Sequence, residues 1–152
     1  MTSLWQKGLT LIEVMIALAV FSFGLLALAV LMASGLKYNT SALHRSYATS
    51  QAYDMADRMR ANHLGLEFYT TFTYTDPECD SFVSGCESTK CTPEAMAHND
   101  AKQWNNYNAC LLPEGTGTVS LESSNPDIYA ITVSWKTNME IEDESFVFEF
   151  QP

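Results

Sequence analysis

One glutamate stands out in this sequence because of its surroundings. Glu13 lies near the start of the apolar run KGLTLIEVMIALAVFSFGLL, which covers residues 7–26. A carboxylate at the centre of a membrane-spanning helix costs about 2.5–3.5 kcal/mol, and less near the interface. Glu13 therefore either marks the interfacial boundary of this segment or has a cationic partner.

Cleavage of the chain after Gly8 would create such a partner. The new amine of Leu9 would be a cation one helical turn from Glu13, at the spacing i, i+4. Opposite charges in a low-dielectric environment are far more stable as a pair than alone, whether the pair forms within a chain or between neighbours. Between neighbours, the pair would set axial register, as one buried polar group does in coiled coils.

The four cysteines predict two disulfides in the C-terminal part of the chain. They are Cys79, Cys86, Cys91 and Cys110, and only Cys86 and Cys91 have the tight Cys-x2–4-Cys spacing, of which zinc sites favour two pairs. A helix over residues 93–108 would hold Cys91 and Cys110 about 20 Å or more apart, which excludes a bond between them. Two pairings stay open, 79–91 with 86–110 or 79–110 with 86–91. Disulfides require an oxidising compartment, so we expect this part outside the cytoplasm and the N-terminus inside it.

The other polar groups form no catalytic pattern. The three histidines, His44, His63 and His98, are scattered along the chain without metal-ligand spacing. Asp54 and Arg58 stand four residues apart, which predicts an ion pair on a helix surface. The acidic run 140–144 lacks the spacing of an EF-hand and is interpreted as a solvated loop. We therefore expect no enzyme activity, no metal and no cofactor.

A long helix is predicted to carry Glu13. The stretch 14–32 is almost wholly apolar, and about 20 such residues cross a bilayer core of about 30 Å. From residue 38 to residue 61 there is no Pro or Gly, and apolar residues recur at helical steps. These are Leu43, Ala48, Ala52, Met55, Ala56 and Met59. One helix of about 50 residues follows, membrane-spanning in its first half and amphipathic in its second.

The C-terminal part is predicted to be mixed. Residues 66–91 are interpreted as mostly loop, after which Thr92 caps a helix with Pro93 at its first position and a buried side at Ala97, Ala101 and Trp104. Three later segments, TVSLE, YAITVSWK and SFVFEF, read as strands with a turn at 124–127. We expect an α+β fold in which an antiparallel sheet of three to four strands packs on the amphipathic half of the long helix.

The charge distribution excludes one class of partner. The net charge is −10, and the chain beyond Asn62 contains three basic residues and fifteen acidic ones. Such a surface repels nucleic acid and anionic lipid headgroups, so we expect this part of the chain to bind neither. The membrane association that we expect comes from the apolar helix alone.

The N-terminal motif resembles the class III prepilin signal of type IV pilins and type II secretion pseudopilins. The residues that carry the likeness are Lys7-Gly8-Leu9-Thr10-Leu11-Ile12-Glu13-Val14, followed by the apolar run. The resemblance implies that a prepilin peptidase removes the leader 1–8 between Gly8 and Leu9. It further implies N-methylation of Leu9 and a role for Glu13 in assembly, although most members have Phe where this chain has Leu9.

Three further segments are similar to PilV-type minor pilins. They are AYDMADRMRAN, the Cys-Thr-Pro helix leading to LLPEGTGTV, and YAITVSW. The likeness implies a type IV pilin-like fold and a minor pilin that primes or caps pilus assembly, in twitching motility or adhesion. Its implied partners are other minor pilins, the major pilin and the inner-membrane assembly platform.

The expected organisation follows from these readings. Residues 1–8 form the leader, 9–36 the transmembrane and fibre-core helix, 37–62 its amphipathic half, and 63–152 a disulfide-bonded periplasmic head. The chain would cross the inner membrane once, with its N-terminus in the cytoplasm, and later enter an extracellular pilus. The alternatives are a minor pseudopilin of type II secretion and an anchored periplasmic binding domain that never polymerises.

Overall fold

The computed structural model describes residues 10–72, 77, 79, 85–86, 90–137 and 143–152. The predicted cleavage site at Gly8 and Leu9, and most of the acidic run 140–144, lie outside the described residues. The chain divides into two compact units, Met1–Ser41 and Ala42–Pro152. All buried residues among those described belong to the second unit, which we call the head.

Helix α1 spans Leu11–Ala61 and confirms the predicted helix of about 50 residues. At its start, the N–H of Glu13 donates to the carbonyl oxygen of Thr10 at 3.1 Å. At its end, Arg58 and Arg60 occupy the last turn, where cations are stabilised by the negative pole of the helix. By length and composition, α1 is able to cross a membrane.

The second half of α1 forms one wall of the core of the head. Its buried residues are Ala48, Ala52, Met55, Ala56 and Met59, as the helical period predicted. The prediction for Leu43 is wrong, because this side chain is 49% exposed. Leu43 lies more than one turn before Ala48, which is the first residue of α1 that the rest of the head buries.

Two short helical segments follow α1. A 3-10 turn covers His63–Gly65, and a one-turn helix, α2, covers Leu66–Tyr69. The second of these begins the region that the sequence assigned mostly to loop. Helix α3 spans Pro93–Leu111, and the Thr92 side chain accepts the N–H of Ala95, as expected of an N-cap.

The described strands form a three-stranded antiparallel sheet in the order β1-β2-β3. The strands are β1 (Thr116–Ser124), β2 (Asp127–Trp135) and β3 (Glu144–Phe150). The inner face carries the predicted alternating residues Tyr129, Ile131, Val133 and Trp135 on β2, with Phe146, Phe148 and Phe150 on β3. These side chains pack with the buried face of α1 in one core, so the predicted α+β architecture is confirmed.

Helix α3 packs against the β1 side of the sheet. The N–H of Gly117 on β1 donates to Asn105 Oδ1 of α3 at 2.7 Å. A Cβ at Gly117 would lie 2.2 Å from the Trp104 ring, so only glycine allows this close approach. The contact covers the beginning of β1 on the side that faces away from β2.

Candidate assembly site

Glu13 occupies the first turn of α1 and is exposed. Its N–H lies 3.4 Å from Thr10 Oγ1, so Thr10 stands at the N-cap and Glu13 three residues later, in the order of a capping box. An acidic side chain in this turn is stabilised by the positive pole of the helix by about 0.3–1 kcal/mol. The helix itself thus supplies part of the stabilisation of a carboxylate in an apolar setting. The predicted pairing of Glu13 with the Leu9 amine falls outside the described residues and stays a prediction.

The helix that follows Glu13 presents large apolar side chains on all sides. Phe23, Met32 and Leu36, for example, are 74%, 75% and 69% exposed. The hydroxyl of Ser22 donates to the carbonyl oxygen of Leu18 at 2.7 Å, so this polar group is satisfied within the helix. Such a surface suits hydrocarbon or the apolar surfaces of neighbouring helices, where unsatisfied polar groups are costly.

Two glycines interrupt this apolar surface. A Cβ built at Gly24 or at Gly35 meets no atom within 4 Å. Neither glycine is therefore required by packing within the described chain. Small residues on a lipid-facing helix permit close approach of a second helix, so both positions are open notches for a neighbour.

The disulfides of the head resolve the pairing that the sequence left open. Cys79 bonds to Cys110, and Cys86 bonds to Cys91. Cys91 and Cys110 lie at opposite ends of α3, which agrees with the exclusion of a bond between them. One bond ties the end of α3 to the chain that precedes this helix, and the other closes a short loop just before the N-cap Thr92.

A polar network joins the end of α1 to α2 and α3. Arg58 Nε donates to Asp54 Oδ2 at 2.8 Å, which confirms the predicted ion pair. Arg58 also reaches Gln103 Oε1 at 2.7 Å and Asp100 Oδ1 at 3.4 Å. The Tyr69 hydroxyl donates to the other Asp100 oxygen at 2.6 Å. The network fixes the three helices relative to each other through one buried carboxylate.

Burial is the main cause of the raised pKa of Tyr69, and its hydrogen bond to Asp100 raises that pKa further. Sequence reasoning missed both residues of this pair. One signal was available for Asp100, which lies three residues after Ala97 and four before Trp104, on the predicted buried side of α3. A carboxylate on a buried face requires a partner.

The three histidines do not come together. His44 lies on α1, His63 on the 3-10 turn and His98 on α3. The ring of His98 packs edge-on against Phe72, with 5.3 Å between the ring centroids. His63 and His98 are exposed, as predicted for surface residues, whereas Nδ1 of His44 is buried without a hydrogen-bond partner among the described residues.

Two family models match the chain. The model described as "Type IV pilin Tt1218" matches residues 31–102, and the model described as "Prokaryotic N-terminal methylation motif" matches residues 6–33. The first match covers the end of the apolar segment, the amphipathic half of α1 and the first part of α3. The second covers the predicted leader junction and Glu13. Comparison with curated proteins and with solved structures gave no significant match.

Proposed function

We propose that this chain, which matches a type IV pilin model over residues 31–102 and an N-terminal methylation motif over residues 6–33, is a minor pilin of a type IV pilus. In this proposal it assembles through the first half of α1 and helps to prime or cap the fibre. Its role is structural and includes no catalytic step. The partners are the prepilin peptidase, the other minor pilins, the major pilin and the inner-membrane assembly platform.

The observation that carries the proposal is the start of α1. A prokaryotic N-terminal methylation motif covers the beginning of a helix in which Glu13 is the one charged residue from Leu11 to Leu36, among exposed side chains that are mostly apolar. A monomer in water would not tolerate this surface, and a permanently lipid-bound anchor would gain nothing from the carboxylate. A helix that moves from lipid into a fibre benefits from one charged group that selects its register.

Processing would prepare the chain for this step. Removal of residues 1–8 at the cytoplasmic side exposes the Leu9 amine, which pairs with the carboxylate of Glu13 in its own chain or in a neighbour. Neighbouring helices then replace lipid around α1 as the subunit enters the fibre. The head remains in the periplasm until assembly carries it to the cell surface, where disulfides persist.

The test is a substitution at Glu13 in the native host. Glu13→Gln keeps the size of the side chain and removes its charge, so we expect a processed, stable protein that is lost from sheared pili by at least tenfold. Glu122→Gln, which makes the same change at an exposed acid on β1 of the head, serves as the matched control and should leave pilus incorporation unchanged.

Quantitative mass spectrometry of the sheared fibre fraction gives the readout. Incorporation of the Glu13→Gln protein at the wild-type level would contradict the assigned role of Glu13. Absence of the wild-type protein from pili, with normal levels in the membrane, would contradict the proposed function itself.

A further inference from the structure

We infer that the outer edge of β3 binds an extended, cationic segment of a neighbouring subunit, which adds a strand to the sheet of the head. The inference rests on the proposed function, because it requires that the chain works beside other subunits. It concerns a surface that the helix-mediated assembly described above does not use.

The two edges of the sheet differ in protection. The beginning of β1 is covered by α3, where Asn105 accepts the Gly117 N–H and the Trp104 ring fills the glycine notch. In the described part of the chain, β3 pairs with β2 on one side and with no strand on the other. The outer N–H and C=O groups of β3 are thus available to a further strand.

Of the usual devices that prevent pairing at a free edge, β3 carries only two charged side chains, Glu144 and Glu149. The strand ESFVFEF contains no Pro, no Gly and no Lys or Arg. The strand pairs with β2 without a bulge, from Glu144 opposite Trp135 to Phe150 opposite Tyr129. A regular, mostly apolar edge of seven residues is a liability in a free monomer, and natural proteins cover such edges.

Two aromatic side chains lie beside this edge. Tyr53 of α1 packs on Phe148 of β3 with 4.6 Å between the ring centroids, yet Tyr53 is 51% exposed. On the opposite face of β3, Val147 is 53% exposed. An added strand would therefore find apolar contacts on both faces, against Tyr53 and Phe148 on one and against Val147 on the other.

Charge determines which segment fits. Glu144 at the start of β3 is neutralised by Arg45, whose Nε lies 3.6 Å from its Oε2, and Arg60 is neutralised by Asp57 at 2.9 Å. The Arg60 guanidinium also lies over the Phe150 ring, 5.1 Å from its centroid. Asp143 and Glu149 are exposed and have no ion pair among the described residues, and Lys136, which interacts electrostatically with Asp143, is itself paired with Glu114. The edge is thus acidic at both ends and apolar between them, which is complementary to a strand with basic ends and a β-branched or aromatic centre.

The same charges disfavour a second copy of this chain as the occupant. Two chains with net charges of −10 repel each other, and pairing of two β3 edges would bring Asp143 of one towards Glu149 of the other. The partner is therefore a different subunit, one that carries a basic extended segment.

A benzophenone amino acid placed at Val147 of the full-length protein in its native host tests this inference. We expect light to produce one adduct at this position, with a subunit that itself carries an N-terminal methylation motif and whose cross-linked peptide contains Lys or Arg. The same amino acid at Leu121 of β1, which is 46% exposed, is the control and should give no such adduct. Equal adducts at both positions, none at Val147, or an adduct with a second copy of the chain would overturn the inference.

A charge substitution adds a second readout. Glu149→Lys should reduce the yield of the Val147 adduct at least tenfold, whereas Glu122→Lys on β1 makes the same charge change away from this edge and should leave it unaltered. An adduct yield unchanged by Glu149→Lys would contradict the charge argument. The N-terminus of each protein is determined in parallel. A chain that begins at Leu9 but forms no adduct refutes the strand addition alone, whereas a chain with an intact leader refutes the proposed function.

Discussion

At the scale of single residues, the head depends on Asp100. This carboxylate accepts from the Tyr69 hydroxyl and faces Arg58, and its side chain is only 13% exposed. Substitution of a buried charge with two partners lowers the stability of the fold much more than loss of an exposed ion pair, because the two partners are left buried without a hydrogen bond.

We therefore predict that Asp100→Asn lowers the free energy of unfolding of the head by about 1–3 kcal/mol. The fragment 42–152 contains every buried residue among those described and is suited to urea denaturation. Asp57→Asn removes one partner of an ion pair whose acid is 76% exposed, so the change should stay within about 0.5 kcal/mol. Equal effects of the two substitutions would show that the Asp100 network does not stabilise the head.

Tyr69 makes the stability of the head fall at high pH. Its pKa is raised in the folded head, first by burial and then by Asp100, above the ordinary tyrosine value of 10.0. The folded state then holds a proton that the unfolded state releases above this pH, so this contribution to stability is complete below pH 10 and is lost as the pH rises.

We predict that the free energy of unfolding of the wild-type head falls more steeply above pH 10 than that of Tyr69→Phe. The measured quantity is the slope of the urea-derived free energy of unfolding against pH. The hydrogen bond that Tyr69→Phe removes changes this free energy by the same amount at each pH, so it does not affect the slope. Tyr107→Phe, at a tyrosine that is 37% exposed, should keep the wild-type slope. Identical slopes for wild type and Tyr69→Phe would contradict this assignment.

At the scale of elements, the two disulfides constrain loops of very different length. Cys79 and Cys110 are 31 residues apart in sequence, and Cys86 and Cys91 are five apart. Loop-closure entropy predicts a loss of about 3.5 kcal/mol when both cysteines of the first pair are replaced by serine, and of about 2 kcal/mol for the second. Denaturation of the two double variants measures the difference, and a larger loss for the 86–91 variant would contradict the prediction.

The elements themselves could be predicted where local pattern decides. Alternation in YAITVSWK placed Tyr129 and Trp135 on one face because burial of that face sets the register. The helical period identified the buried face of α1 but placed Leu43 in the core. A period predicts which face of a helix is buried, but it does not predict where along the helix the rest of the head begins to cover that face.

The candidate site and the cross-links of the head were predicted less completely. The cysteine spacing allowed two pairings because both satisfy the geometry of α3. Tyr69 and Asp100 were missed because their contact joins residues 31 apart through tertiary packing. The start of α1 was recognisable because the lone Glu13 violates the apolar pattern, and such violations are expected at functional residues.

At the scale of the whole molecule, the chain combines two units with different surfaces. The first presents apolar side chains and one carboxylate, and the second is an acidic, disulfide-bonded domain with its own core. This division is what a subunit needs if it is stored in a membrane and used in a fibre. We propose that the first unit is processed for assembly.

The most direct test is the N-terminal sequence and intact mass of the protein purified from the membranes of its native host. We expect a chain that begins at Leu9, with a mass that includes two disulfides and, where the amine is methylated, one methyl group. A chain that still begins at Met1, or one cut beyond the apolar run after Ser34, would contradict it and leave Glu13 as a boundary residue of a signal or anchor.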